Sequence, residues 1–331
     1  RTGRTWTSVF ADEIIRIAEQ RDDVVAVTAA MCDPTGLGAF NRRFPERCFD
    51  VGIAEQHALT SAAGMASAGL HPFVAIYATF LNRAFDQLLL DIALHRLPVT
   101  LVLDRAGVTG EDGPSHNGVW DLAILGVVPG LRLAAPRDEA TLRAQLHEAA
   151  AYGDGPSVVR FPKTPLAADL PAVRQVDGLD VLAEPAPDAD VDVLIVTVGA
   201  MATDVLDACI AIGQAGYSVR VVDPQWVHPV PAGLVDLARR ATLVVTVEDG
   251  IVAGGVGARI GQALSAAGLD VPTRQIGVPT EFPVHGKVAD IRGWAGLTVP
   301  SIGRRIVEWS AVVASGSEPG TNISVARHQG E

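Results

Sequence analysis

Short runs of β-branched and other apolar residues recur along this chain, each followed by a stretch with helical spacing. Asp23–Ala29, Cys48–Ile53, Pro72–Ala78, Pro98–Leu103 and Pro156–Phe161 are such runs in the first half, with Leu131–Ala134 a shorter one. Val193–Val198, Ser218–Asp223, Thr242–Glu248 and Thr273–Ile276 repeat the pattern in the second half. Helices are predicted between them at Asp12–Gln20, Gln56–Ala68, Leu81–His95, Val119–Gly126 and Asp138–Ala151, then at Ala202–Ala215, Leu234–Arg240 and Val256–Ala267. Apolar runs of this kind suit strands buried on both faces by helices. The alternation restricts the chain to an α/β fold of two successive doubly wound, mostly parallel sheet domains. In such sheets ligands bind at the carboxyl ends of the strands.

A length of 331 residues suits two domains. The expected division is a first unit over 1–165, an inter-domain connection over 166–191 and a second unit over 192–312. The connection is rich in Pro, Ala and Asp, with room for an edge strand. The polar, Gly/Ser-rich residues 313–331 are expected to be a disordered tail. The chain begins with Arg1 rather than Met, which fits a piece or processed product of a longer polypeptide.

Net charge is −12, which sets the chain against a nucleic-acid backbone or an anionic membrane. A small anion remains possible, because a few local arginines can hold a phosphate. Three widely spaced cysteines, Cys32, Cys48 and Cys209, form no Cys-x-x-Cys and read as reduced, mostly buried thiols. No apolar run reaches the length of a bilayer span, no signal peptide is evident, and a cytoplasmic location is expected.

Glu55 falls where the run Cys48–Ile53 meets the next helix. Taken alone, an acidic residue there caps free N–H groups and complements the helix dipole. His57 follows by two positions and so points away from Glu55, as a structural or solvent-facing side chain. The helix beyond is rich in Ala, Ser and Gly, so it can approach a neighbouring backbone closely. Arg160 sits inside the apolar run Ser157–Pro162, where a charge is costly unless it meets a partner. A structural ion pair would explain it, and a surface salt bridge would equally explain Arg83. The loop Asp104–Gly118 holds four glycines and no apolar pattern. Near Glu248-Asp-Gly250, the Gly-rich turn Ile251–Gly257 does not meet the Gly-x-Gly-x-x-Gly order and reads as close helix–strand packing.

Three segments occur in order: Gly52-Ile-Ala-Glu-Gln-His-Ala58, Tyr77-Ala-Thr-Phe-Leu-Asn-Arg83, and Asp104-Arg-Ala-Gly-Val-Thr-Gly-Glu-Asp-Gly-Pro-Ser-His116. Together they resemble the pyrimidine-binding domain of the 1-deoxy-D-xylulose-5-phosphate synthase family of transketolase-like thiamine enzymes. The resemblance runs from about Thr5 to Trp309. It implies that Glu55 hydrogen-bonds the aminopyrimidine N1′ of thiamine diphosphate. Sharing a proton there primes the cofactor's own amino group to accept the C2 proton, which a glutamine could not do. It further implies that Phe80 stacks on the pyrimidine, with core packing the alternative.

The reaction implied joins pyruvate to D-glyceraldehyde 3-phosphate with loss of carbon dioxide, feeding isoprenoid, thiamine and pyridoxal synthesis. Tyr77, Arg83, Arg105 and Arg160 would contact substrate, the arginines being natural phosphate ligands. His116 would polarise or protonate the acceptor aldehyde, and Asp112 would position its hydroxyls. The family's preceding domain, with the Gly-Asp-Gly motif that binds Mg²⁺ and the diphosphate, has no counterpart in this sequence. A fragment or a subunit needing that domain is therefore expected, inactive by itself, with metal ligands elsewhere and a homodimer as the assembly. The turn Met31–Gly36 departs from the family's glycines and is given no role. Two alternatives stay open: the beta subunit of a two-chain 2-oxo-acid dehydrogenase, and a non-catalytic interaction protein with the same fold.

Overall fold

A computed structural model describes residues 3–316; residues 1–2, and residues 317–331 of the expected tail, lie outside the described residues. Two sheets organise the molecule. The strands are β1 (Val24–Thr28), β2 (Cys48–Asp50), β3 (His71–Tyr77), β4 (Thr100–Asp104), β5 (Arg132–Ala134), β6 (Ser157–Arg160), β7 (Arg174–Val176), β8 (Leu179–Ala183), β9 (Val191–Thr197), β10 (Val219–Asp223), β11 (Trp226–His228), β12 (Ala241–Ile251) and β13 (Thr273–Val278). The first sheet has seven strands in the order β11-β5-β6-β4-β3-β1-β2, and the second has six, in the order β13-β12-β9-β10-β8-β7.

Strands β5, β6, β4, β3, β1 and β2 are mutually parallel, so their carboxyl ends share one edge. Every residue of β1 and β4 is buried, as the unbroken apolar runs require. The helix Trp6–Gln20 covers one face. It starts at Thr5, whose side chain accepts from the Ser8 amide, and it buries Trp6, Phe10, Ile14 and Ile17. The helix Glu55–Ser67 packs Ala58, Leu59, Ala62, Ala63 and Ala66 against the other face. In the second sheet, β9, β10, β12 and β13 are parallel, while β7 and β8 form an antiparallel hairpin on the edge.

Several expectations need correction. Leu81–His95 is not one regular helix: a 3₁₀ segment over Ala78–Ala84 passes through Phe85–Gln87 into π-type turns at Leu88–Ala93. Apolar spacing marks it as helical without fixing its winding. Strand β11 was not anticipated; it comes after β10 in sequence yet pairs antiparallel with β5 of the first sheet, Trp226 opposite Ala134. The helices Val288–Trp294 and Val299–Ala314 were also missed. The connection over 166–191 contains the β7–β8 hairpin. Among the described residues no helix is long and apolar enough to cross a membrane.

The turn after β12 is tightly packed. A Cβ on Gly257 would lie 2.1 Å from Thr246 Oγ1. Glu248 accepts the amides of Val256 and Gly257 at 2.9 Å, using its carboxylate at the start of the helix Val256–Ala266. Burial pushes that carboxyl up to about 7.

Arg137 clamps the two units. It follows β5, and its Nη1 donates to Asp180 of β8 at 2.7 Å and to Asp223 of β10 at 2.8 Å. Its Nε donates to the Leu170 carbonyl at 3.0 Å. All three charged groups are buried, so removing the cation leaves two carboxylates without a counter-charge. Arg137→Ala is expected to destabilise the protein by about 3–5 kcal/mol, read as a lower urea midpoint. An unchanged midpoint would show that Arg137 is no clamp.

Candidate functional site

The site residues follow the carboxyl ends of four strands of the first sheet. Glu55 comes after β2, Tyr77 ends β3, Asp104 and Arg105 close β4, and Arg160 ends β6. This is the edge at which a doubly wound sheet leaves a crevice.

Glu55 opens its helix but does not cap it: no side-chain hydrogen bond is made at that N-terminus. Its side chain is 2% exposed. Arg83 Nε lies 3.1 Å from Glu55 Oε2, yet that oxygen has no aligned hydrogen bond. The contact is an ion pair with an open lone pair. Buried polar groups are nearly always satisfied, so the site lacks a donor for this oxygen. Ahead of Glu55, Ile53 is 77% exposed and Phe49 is also exposed, an uncovered apolar rim. His57 is exposed.

Tyr77, Phe80, Arg105 and His116 are gathered into one stack. The Tyr77 and Phe80 rings are parallel at 5.9 Å, and His116 meets Phe80 edge-on at 5.7 Å. Arg105 lies over the other ring, 4.2 Å from the Tyr77 centroid. Burial raises the Tyr77 hydroxyl above its ordinary value, so it stays protonated and able to donate. His116 Nδ1 and Ser115 Oγ are 3.0 Å apart. Thr79 Oγ1 donates to the Ser115 carbonyl at 2.8 Å, holding that turn against the 3₁₀ segment.

Arg105 has a left-handed backbone, φ 57°. Its amide donates to Asp104 Oδ1 at 2.7 Å, and its guanidinium donates to the Pro34 carbonyl at 2.9 Å. The Met31–Gly36 turn therefore positions this arginine, a role the sequence did not disclose. Asp104 is buried, and burial raises its carboxyl above the usual range, against the pull of Arg105 and a 2.6 Å hydrogen bond from Thr7.

Arg160 is held apart from that stack in a buried ionic group. Its Nε donates to Asp121 at 2.7 Å and its Nη1 to Asp249, on β12 of the second unit, at 2.6 Å. Burial alone would lower its proton affinity, but the two carboxylates outweigh it and raise it. Its Nη2 has no partner. Asp112, on the loop, does not face Arg160; it pairs with Lys163 Nζ at 2.6 Å.

The loop over 104–118 is more ordered than its composition suggests. Residues 106–110 are buried. Gly107 and Gly118 exchange backbone hydrogen bonds at 2.9 and 2.8 Å. Gly107 has φ 72°, and a Cβ there would lie 2.2 Å from Asp249 Oδ2, so both backbone and space call for glycine. Asn117, fully buried, accepts from the Thr109 amide at 2.8 Å and donates to the Gly113 carbonyl at 3.2 Å. His285, from the second unit, lies 3.0 Å from the Glu111 carbonyl. Sequence reasoning missed Asn117, Lys163, Asp249 and Pro34. Only Lys163 carried a signal, as a cation just past a strand end.

Comparison with known proteins identifies both units. Residues 2–168 match the transketolase pyrimidine-binding domain, and residues 173–302 match the transketolase C-terminal domain. The chain is 58% identical over 307 residues to the 1-deoxy-D-xylulose-5-phosphate synthase of Rhodococcus jostii (strain RHA1), covering 92% of this chain and 47% of that protein. It is 55% identical over 309 residues to the synthase of that name from Mycobacteroides abscessus, covering 93% and 48%. The chain thus spans about half the length of the curated relatives it matches. A solved split-gene transketolase, described as an inactive beta4 tetramer, superposes with a TM-score of 0.82 at 28% identity, covering 94% of this chain and 99% of that one. Transketolase from Campylobacter jejuni shares the fold, with a TM-score of 0.77 at 17% identity, over 93% of this chain and 47% of that one.

Because the Asn117 side chain joins Thr109 to Gly113 across the loop, Asn117→Ala is expected to free the Thr109 amide, at about 1–3 kcal/mol. Hydrogen exchange at Thr109 should quicken while exchange in β9 stays as it was. Unchanged protection at Thr109 would mean that other contacts hold the loop.

Proposed function

Since the chain belongs to the transketolase family, we propose that it forms one half of a thiamine-diphosphate-dependent transferase. The reaction joins pyruvate to D-glyceraldehyde 3-phosphate with loss of carbon dioxide, giving 1-deoxy-D-xylulose 5-phosphate. The observation that carries this reading is the buried Glu55 carboxylate, whose Oε2 is paired with Arg83 but makes no aligned hydrogen bond. A protonated ring nitrogen such as N1′ of the aminopyrimidine is the donor that oxygen lacks. Phe80, in ring contact with Tyr77 and His116, offers an aromatic surface for the pyrimidine, and Ile53 adds exposed apolar surface just ahead of Glu55. These residues fit the pyrimidine end of the cofactor.

When bound, thiamine diphosphate supplies an electron sink for the carbanion left by loss of carbon dioxide. Glu55 holds the proton at N1′. Arg83, beside Glu55, and Tyr77, a protonated donor, face the substrates. His116 has Nδ1 engaged by Ser115, which leaves Nε2 to meet the acceptor carbonyl oxygen. Arg105 and Arg160 are assigned to the wall of the crevice around the phosphate. Asp112 positions acceptor hydroxyls. Mg²⁺ and the diphosphate are assigned to a domain or subunit outside the described residues, which contain no group of three or more His, Cys, Asp or Glu able to hold a metal.

A second reading concerns assembly. The diphosphate-binding half is either a further domain of the same polypeptide or a separate chain. In either arrangement Glu55 is needed for turnover. Glu55→Gln is expected to lower formation of 1-deoxy-D-xylulose 5-phosphate by about 100-fold or more, measured with the diphosphate-binding half present. Its thermal transition should stay at the wild-type temperature. Turnover near the wild-type rate would overturn the assignment.

A further inference from the structure

We propose that Lys163 is a phosphate ligand of this site and that it binds by exchanging partners, leaving Asp112 for the phosphate of the acceptor. The proposal rests on the reading of the acceptor as glyceraldehyde 3-phosphate. Lys163 leaves the sheet three residues after Arg160, at the carboxyl edge where the other site residues gather. Its Nζ lies 2.6 Å from Asp112 Oδ2. Both side chains are open to solvent, Lys163 at 44% and Asp112 at 38%. A ligand in the crevice can therefore reach either of them.

Position ties the pair to the aromatic stack. Lys163 and Asp112 act on the Tyr77 hydroxyl in opposite directions, Lys163 favouring its ionised form and Asp112 opposing it. Both charges therefore lie within electrostatic reach of Tyr77, and Arg105 covers the face of that ring. Asp112 comes from the loop, which Asn117 and the Gly107–Gly118 pair close on itself. Lys163 comes from just past the end of β6, so their contact ties the loop to the sheet edge.

An exposed lysine–carboxylate pair contributes little to stability and is easily broken. A phosphate dianion is a stronger partner for the ammonium than one carboxylate. Exchange also frees Asp112 Oδ2 to accept from an acceptor hydroxyl. One ion pair thus accounts for two needs of the acceptor, a cation at its phosphate end and a free carboxylate near its hydroxyls.

The test compares D-glyceraldehyde 3-phosphate with D-glyceraldehyde as acceptor, with pyruvate as donor and the diphosphate-binding half present. The readout is the ratio of the two kcat/KM values. In Lys163→Gln the ratio is expected to fall about tenfold, and in Lys163→Arg it is expected to be kept. A ratio unchanged in Lys163→Gln, with wild-type protein still preferring the phosphorylated acceptor, would overturn the exchange and leave the proposed reaction standing. A ratio that falls equally in Lys163→Arg and Lys163→Gln would assign the loss to packing and also overturn it. Wild-type protein that turns over neither acceptor would overturn both readings.

Discussion

Arg160 is sealed inside the protein with its charge intact, and the geometry around the crevice depends on that. Removing a guanidinium from water is unfavourable by several kcal/mol unless opposite charges meet it in good geometry. Two carboxylates do so from different parts of the chain. Asp121 belongs to the first unit and Asp249 to β12 of the second. The end of β6 is thus fixed to both units at once. Gly107 follows from the same arrangement, since Asp249 occupies the space a side chain there would need. Loop, sheet edge and second unit come together around one cation.

Glu55 presents the opposite case. It is as buried as Arg160, but one oxygen lacks a hydrogen bond and the neighbouring Ile53 is left in solvent. Arg160 is braced from within the chain by two carboxylates. At Glu55 the chain itself supplies one cation, Arg83, and no aligned donor. The chain also spans about half of its relatives' length, 47% of the Rhodococcus jostii protein.

Most of the strand positions could be read from the sequence because buried parallel strands must be continuously apolar. The runs at Val24–Thr28, Thr100–Asp104 and Ser157–Arg160 announce themselves in this way. Strand β11 does not, because three residues with a tryptophan and a histidine have no period, and their pairing with β5 is settled by tertiary contact. The winding of Leu81–His95 was hidden for a related reason: apolar spacing reports a helical face but not the hydrogen-bond step. At the site, Glu55, Tyr77, Arg105 and His116 stood at strand ends or in the loop that follows one. Asp249 could not be read, since its meaning lies in a cation remote in sequence. The Pro34 carbonyl could not be read either, because a backbone acceptor leaves no trace in residue type.

The electrostatics of the crevice differ from what a count of arginines suggests. Every cation the site offers already has a carboxylate: Arg83 has Glu55, Arg105 has Asp104, Arg160 has Asp121 and Asp249, and Lys163 has Asp112. In a chain of net charge −12 there is no excess positive field to draw in an anion. Capture must instead come from a cation that can change partners. Arg160 cannot easily do so, because it is buried and an unpaired Asp121 would be left beneath it. Arg105 is held by Asp104, by the Pro34 carbonyl and by the Tyr77 ring. Arg83 pairs with a carboxylate that is itself buried. Of these pairs, Lys163–Asp112 is the one with both members in solvent, so both can be resolvated or re-paired at little cost. The arginines act as fixed walls of the crevice, and the lysine acts as its exchangeable contact.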